Sequence, residues 1–141
     1  MGRKIVVTSG KGGVGKTTLT ASLGIAIAET GKKVVLVDAD IGLNNLDVVL
    51  AVENKVVYDV LDVISGKCRL KQALIQDVDN PTLYVLPSAK IQDSPLITAC
   101  SFRNVVDALA LNFDFVIIDC PAGIDNGFHR AVSAATEAIV V

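Results

Sequence analysis

The sequence predicts an α/β fold, a mostly parallel sheet with helices packed on its faces, and three observations carry that reading. A short apolar run, residues 5–9, leads into a glycine-rich loop and then into a stretch of helical length, which is the opening of a strand–helix–strand unit. Two more apolar runs, 33–37 and 113–118, each end in an aspartate, and they lack polar alternation, as strands covered on both faces do. The 141 residues are 51% hydrophobic with no tryptophan, so the core is built from Val, Ile, Leu and Ala, the usual filling of such a sheet.

Taken in order, residues 5–9 form the first strand and 17–30 the first helix, stopped at Gly31. Leu19, Leu23, Ile25, Ala26 and Ile27 wrap much of that helix and predict burial around most of its circumference. Residues 33–37 give the second strand, parallel to the first across the helix. The stretch 38–47, Asp-Ala-Asp-Ile-Gly-Leu-Asn-Asn-Leu-Asp, is too polar for core and reads as a loop at the carboxyl end of that strand, where open α/β sheets place ligands. Short helices follow over 58–64 and 70–75. Asn80-Pro81 turns into a third strand over 83–86. A helix over about 101–111 has Phe102, Val105, Val106 and Leu109 at helical spacing. The strand over 113–119, a second loop over 120–125, a helix through Ala135 and a strand from Ala138 complete the chain.

The length is one domain's worth, and residues 1–141 read as a single unit without repeats or linkers. A formal charge of −2 speaks against a general nucleic-acid surface. No apolar run approaches a membrane span, and Met1-Gly2-Arg3-Lys4 reads as the approach to a strand and not as a leader. Cys68, Cys100 and Cys120 are odd in number and lack paired spacing, which predicts a reduced, cytoplasmic setting and gives little support to a cysteine-held cluster.

The chemistry concentrates in Gly10-Lys11-Gly12-Gly13-Val14-Gly15-Lys16-Thr17-Thr18. Glycines at 10, 12, 13 and 15 let consecutive N–H groups face an anion, and the helix that follows adds its N-terminal N–H groups and the positive end of its dipole. Lys16 supplies a charge for the β- and γ-phosphates, Thr17 a hydroxyl for Mg²⁺, and Thr18 a hydrogen bond for the α-phosphate. The pattern arises by chance in a chain this long at a rate of about one per cent. Asp119 becomes the partner of that magnesium, directly or through water, if its strand lies near the first one. Asp38 and Asp40, two apart, lean to one face in extended backbone and are placed for magnesium, for water, or for both. Asp40 is the choice for orienting an attacking water. Lys11 starts on the outer side of the loop, where reaching its own γ-phosphate is awkward.

With that early lysine, the loop resembles the deviant Walker A ATPases of the ParA/MinD group. The resemblance implies a three-layer P-loop NTPase fold, Rossmann-like, and Mg²⁺-dependent ATP hydrolysis, with Lys11 crossing a dimer interface to the nucleotide of a second subunit. ATP then holds a homodimer together and hydrolysis releases it. The loops 40–47 and 119–124 and the run 53–60 narrow the resemblance to the branch that positions the division septum. That branch implies a cytoplasmic protein peripheral to the inner face of the cell membrane, bacterial or plastid. Its implied partners are a MinC-like division inhibitor and a MinE- or DivIVA-linked topological factor. Segments for adenine recognition and for an amphipathic helix on an anionic membrane belong to a part of such proteins beyond the match. The alternatives are an FlhG-like flagellar-number regulator, which shares Gly-Leu-x-Asn-Leu-Asp, and a ParA-like DNA-partition ATPase.

Overall fold

The computed structural model describes residues 2–8, 15–39, 55–88, 97–120 and 126–141, with backbone alone for 126–128. In chain order the elements are β1 (Arg3–Thr8), α1 (Lys16–Glu29), β2 (Val34–Asp38), α2 (Val60–Ile64), α3 (Leu70–Ala73), β3 (Ile75–Gln76), β4 (Leu83–Leu86), α4 (Ala99–Ala110), β5 (Phe115–Asp119), α5 (Asn126–Ala134) and β6 (Glu137–Val140). The strands lie in the order β3-β4-β2-β5-β1-β6. Every pairing is parallel except β3 with β4. The sequence expectation of a mostly parallel sheet holds, and β5 inserts between β1 and β2.

Period-two geometry divides the core into two layers. Val7, Val34, Leu36 and Ile117 face Ala21 and Ala28 of α1, while Val6, Val35, Val37, Val116 and Ile118 face Phe102, Val106 and Leu109 of α4 and Ala131 of α5. Both faces of the central strands are covered, which is why these runs carry no polar alternation.

Three expectations need correction. Helix α1 is not buried all round: Thr20, Ala21, Gly24 and Ala28 are buried, whereas Leu19 is 40% exposed, Ala26 is exposed, and Leu23, Ile25 and Ile27 are half-buried. Small residues on the inner stripe let the helix lie close to the sheet, and the larger ones flank that contact. The helix expected over 70–75 stops at Ala73, and Ile75–Gln76 instead pair antiparallel with Tyr84 and Val85. The helix expected from 101 starts at Ala99, because Thr98 caps it: the Ser101 N–H donates to Thr98 Oγ1 at 3.0 Å, and the Thr98 N–H donates to Ser101 Oγ at 2.8 Å.

The close approach of α1 gives a direct test. A Cβ placed on Gly24 would stand 2.7 Å from Leu36 Cδ2 and 3.1 Å from Cδ1, in a fully buried layer. Leaving glycine for alanine in a helix gains about 1 kcal/mol, and overpacking costs about 1–3 kcal/mol. Gly24→Ala is therefore expected to come out near neutral. Gly24→Val, with two further methyls and a stiff χ1, is expected to lose about 1–3 kcal/mol in urea unfolding. Equal midpoints for Gly24→Val and the parent would contradict this packing.

Candidate phosphate site at the carboxyl edge of the sheet

The inserted strand brings the site together. Asp119, last in β5, lies in register with Val7 of β1 on one side and with Asp38 of β2 on the other. The three strand ends stay tied beyond the ladder: the Cys120 N–H donates to the Val7 carbonyl at 3.1 Å, and the Ala39 N–H to the Asp119 carbonyl at 3.0 Å. The condition attached to Asp119 in the sequence, that its strand lie near the first, is met.

Two donors from the first turn of α1 converge on that carboxylate. Lys16 Nζ donates to Asp119 Oδ1 at 2.5 Å, and Thr17 Oγ1 donates to Asp119 Oδ2 at 2.7 Å. The Asp119 side chain is fully buried and that of Lys16 is 10% exposed. A carboxylate withdrawn from water to this degree persists only when charge-assisted hydrogen bonds satisfy it, and here one reaches each oxygen. Sequence reasoning sent Lys16 and Thr17 to phosphate and metal and missed that both reach the same aspartate.

Local backbone fixes the two donors. Gly15, at the N-cap of α1, has φ 76° and ψ 21°, a left-handed conformation that costs a residue with a Cβ on the order of 1–2 kcal/mol. Its carbonyl accepts the first intrahelical bond from the Leu19 N–H at 2.9 Å. Thr20, fully buried, donates its hydroxyl to the Lys16 carbonyl at 2.8 Å. By helix geometry the N–H groups of the first turn have no partner inside the helix and point out of its N-terminus.

Asp38 is fully buried at the end of β2, directly across from Asp119, and Thr18 is exposed on the first turn of α1. Gly10, Lys11, Gly12, Gly13, Val14 and Asp40 lie outside the described residues, as do residues 40–54 and 121–125 as a whole. Among the described residues no three His, Cys, Asp or Glu side chains group as a metal site, and no helix is long and apolar enough to cross a membrane.

Away from this edge, three side chains have displaced titration. The hydrogen bond from Arg3 holds the Glu137 carboxyl below the ordinary range, and the same bond raises the Arg3 guanidinium; both side chains are exposed. Burial, and then the charges of Asp62 and Asp59, push the Cys68 thiol up, which disfavours the thiolate needed for a cluster ligand. Cys100 is exposed and Cys120 buried.

A parallel sheet of this order, with an ammonium and a hydroxyl from the first helical turn meeting the aspartate of an adjacent strand, is the architecture of the P-loop NTPases. The chain belongs to the AAA domain family, whose profile matches residues 2–141. Over its whole length it is 53% identical to the septum site-determining protein MinD of Bacillus subtilis, covering 53% of that protein. It is 52% identical over its whole length to a putative septum site-determining protein MinD of Guillardia theta, covering 52% of it. Among solved structures, MinD of Pyrococcus horikoshii complexed with Mg-ADP superposes with a TM-score of 0.87 at 38% identity, over 100% of this chain and 58% of that one. The MinC:MinD cell division complex of Aquifex aeolicus gives 0.86 at 46% identity, over 98% of this chain and 55% of the matched chain. The chain thus spans about half the length of the curated relatives it matches.

Proposed function

We propose that residues 1–141 form a single P-loop ATPase domain and that the whole protein is an ATP-dependent dimeric switch that positions the division septum. The observation that carries the reading is the convergence of Lys16 and Thr17 on Asp119, in a chain half identical to septum site-determining proteins. The chemistry of the donor set fits Mg-ATP. Lys16 is a cation for the phosphates, and the first-turn N–H groups of α1 face the same way. Thr17 offers a hydroxyl and Asp119 a carboxylate, and Mg²⁺ takes one or two such ligands while phosphates and water complete its shell. When bound, the metal neutralises charge that builds on the phosphate oxygens.

The chain's own residues then divide the work. Lys16 orients the phosphates, Thr17 and Asp119 hold the metal with Asp38 beside them, and Asp40 aligns the attacking water. Lys11 reaches the nucleotide of the second subunit, and the remaining loop residues, Gly10 to Gly15 with Thr18, cradle phosphate. The partners proposed are a second copy, a MinC-like inhibitor, a MinE- or DivIVA-linked factor and the cytoplasmic face of an anionic membrane. The Aquifex complex of MinC with MinD supports the MinC-like inhibitor among these.

The test uses full-length protein. Sedimentation with Mg-ATP is expected to give a dimer and sedimentation with Mg-ADP a monomer. Asp40→Ala is expected to keep nucleotide binding and the dimer while turnover falls by about a hundredfold or more. A protein that stays monomeric with Mg-ATP, or hydrolyses normally as Asp40→Ala, would not be the switch described.

A further inference from the structure

The edge of the sheet opposite Asp119 holds a cavity of about 580 Å³, within the range of small-molecule sites. Lys33 stands just before β2, Phe113 just before β5 and Tyr84 early in β4, so their side chains gather at the amino ends of the strands. Arg69, Lys71 and Leu74 close the cavity from α3. Lys33 and Asp38 are five steps apart along the chain, about 16 Å at the rise of a strand, so this is a separate place from the phosphate site.

Charge and ring geometry specify what it takes. Three cations line the cavity and no acidic side chain does so among the described residues, in a chain whose overall charge is negative. Neither Lys33, Arg69 nor Lys71 forms an ion pair with a described carboxylate, whereas Arg3, Lys4 and Lys16 each do. Asp114, outside the lining, accepts a hydrogen bond from the Lys33 backbone N–H at 2.8 Å. Tyr84 and Phe113 meet edge to face, centroids 5.4 Å apart at 74°, and Lys33 Nζ sits 5.0 Å from the Phe113 centroid and 5.9 Å from that of Tyr84. The ammonium is thereby held over an apolar, aromatic wall.

We infer that this cavity binds a small organic anion of two or more negative charges on a flat apolar body, independently of the nucleotide site. Carboxylate, phosphate or sulfonate serves the three cations alike, and the flat body packs against the aromatic wall. A half-enclosed pocket of this volume suits a small molecule better than a protein segment.

The test titrates full-length protein, saturated with Mg-ADP, with naphthalene trisulfonate followed by its fluorescence. Saturable binding at one site is expected, weakened about tenfold or more in the double variant Arg69→Gln/Lys71→Gln and again in Tyr84→Leu. Arg69, Lys71 and Lys33 are exposed and Tyr84 is half-buried against the core, so circular dichroism verifies the folds; Lys33→Gln serves where a variant does not fold. Tripolyphosphate, with the charge and no ring, is expected to compete weakly. Absence of saturable binding, unchanged affinity in the variants, equal competition by tripolyphosphate, or binding of a glutamate-rich peptide in place of the trisulfonate would each overturn the inference.

Discussion

Full-length protein carrying Lys16→Ala is expected to lose Mg-ATP affinity by about a hundredfold or more, measured by equilibrium binding of a fluorescent nucleotide. Charge-assisted hydrogen bonds contribute roughly 1.5–3 kcal/mol each, and an ammonium shared between two phosphates forfeits two of them, which is a loss of two to four decades. The fold registers the same change through a different route. Asp119 is fully buried and takes one of its two hydrogen bonds from Lys16, and Asp38, equally buried, stands across from it. Removing the ammonium leaves the buried Asp119 carboxylate without its counter-charge and with one hydrogen bond, so unfolding without nucleotide is expected to be easier by about 2–4 kcal/mol, slightly below a fully enclosed pair. Unchanged nucleotide affinity would remove Lys16 from the binding role, whatever happened to stability.

The second large effect belongs to Asp119. Asp119→Ala takes the acceptor from both Lys16 and Thr17 and strands a nearly buried ammonium, at a cost of about 3 kcal/mol in unfolding free energy. Stability alone does not separate a structural aspartate from a metal partner. The ratio of nucleotide affinities with magnesium and with chelator does: it is expected to be large in the parent and close to one in Asp119→Asn, which keeps the shape and one acceptor for the Thr17 hydroxyl. A variant whose affinity still rose steeply with magnesium would place the metal elsewhere.

Much of this was legible in the residues because the relevant signals are local. The uninterrupted apolar runs ending at Asp38 and Asp119 became β2 and β5, and the glycine loop opened a helix within a residue of the expected place. What the chain does not carry locally is the pairing of distant strands. The insertion of β5 between β1 and β2 rests on contacts between strands far apart in sequence, such as Val7 with Asp119 and Asp38 with Asp119, and only that insertion delivers Asp119 to Lys16. The two-residue β3 was hidden for another reason: a segment that short has no periodicity, and its partner strand alone defines it. The inner stripe of α1 was misjudged because hydrophobicity was read by residue type, whereas close helix–sheet packing selects small residues such as Gly24 and Thr20. The cap at Thr98 had a signal in the sequence, a hydroxyl residue followed three places on by Ser101, and the helix start should have been placed on it.

The doubly engaged carboxylate of Asp119 bears on how any anion enters here. Its two captors are the groups proposed for the incoming metal–nucleotide, Lys16 for the phosphates and Thr17 for the metal, so association is an exchange of partnerships and not a simple addition. The net heat is then the difference between two sets of strong contacts, and discrimination comes to depend less on raw attraction than on whether a newcomer brings its own divalent counter-charge to leave with the abandoned aspartate.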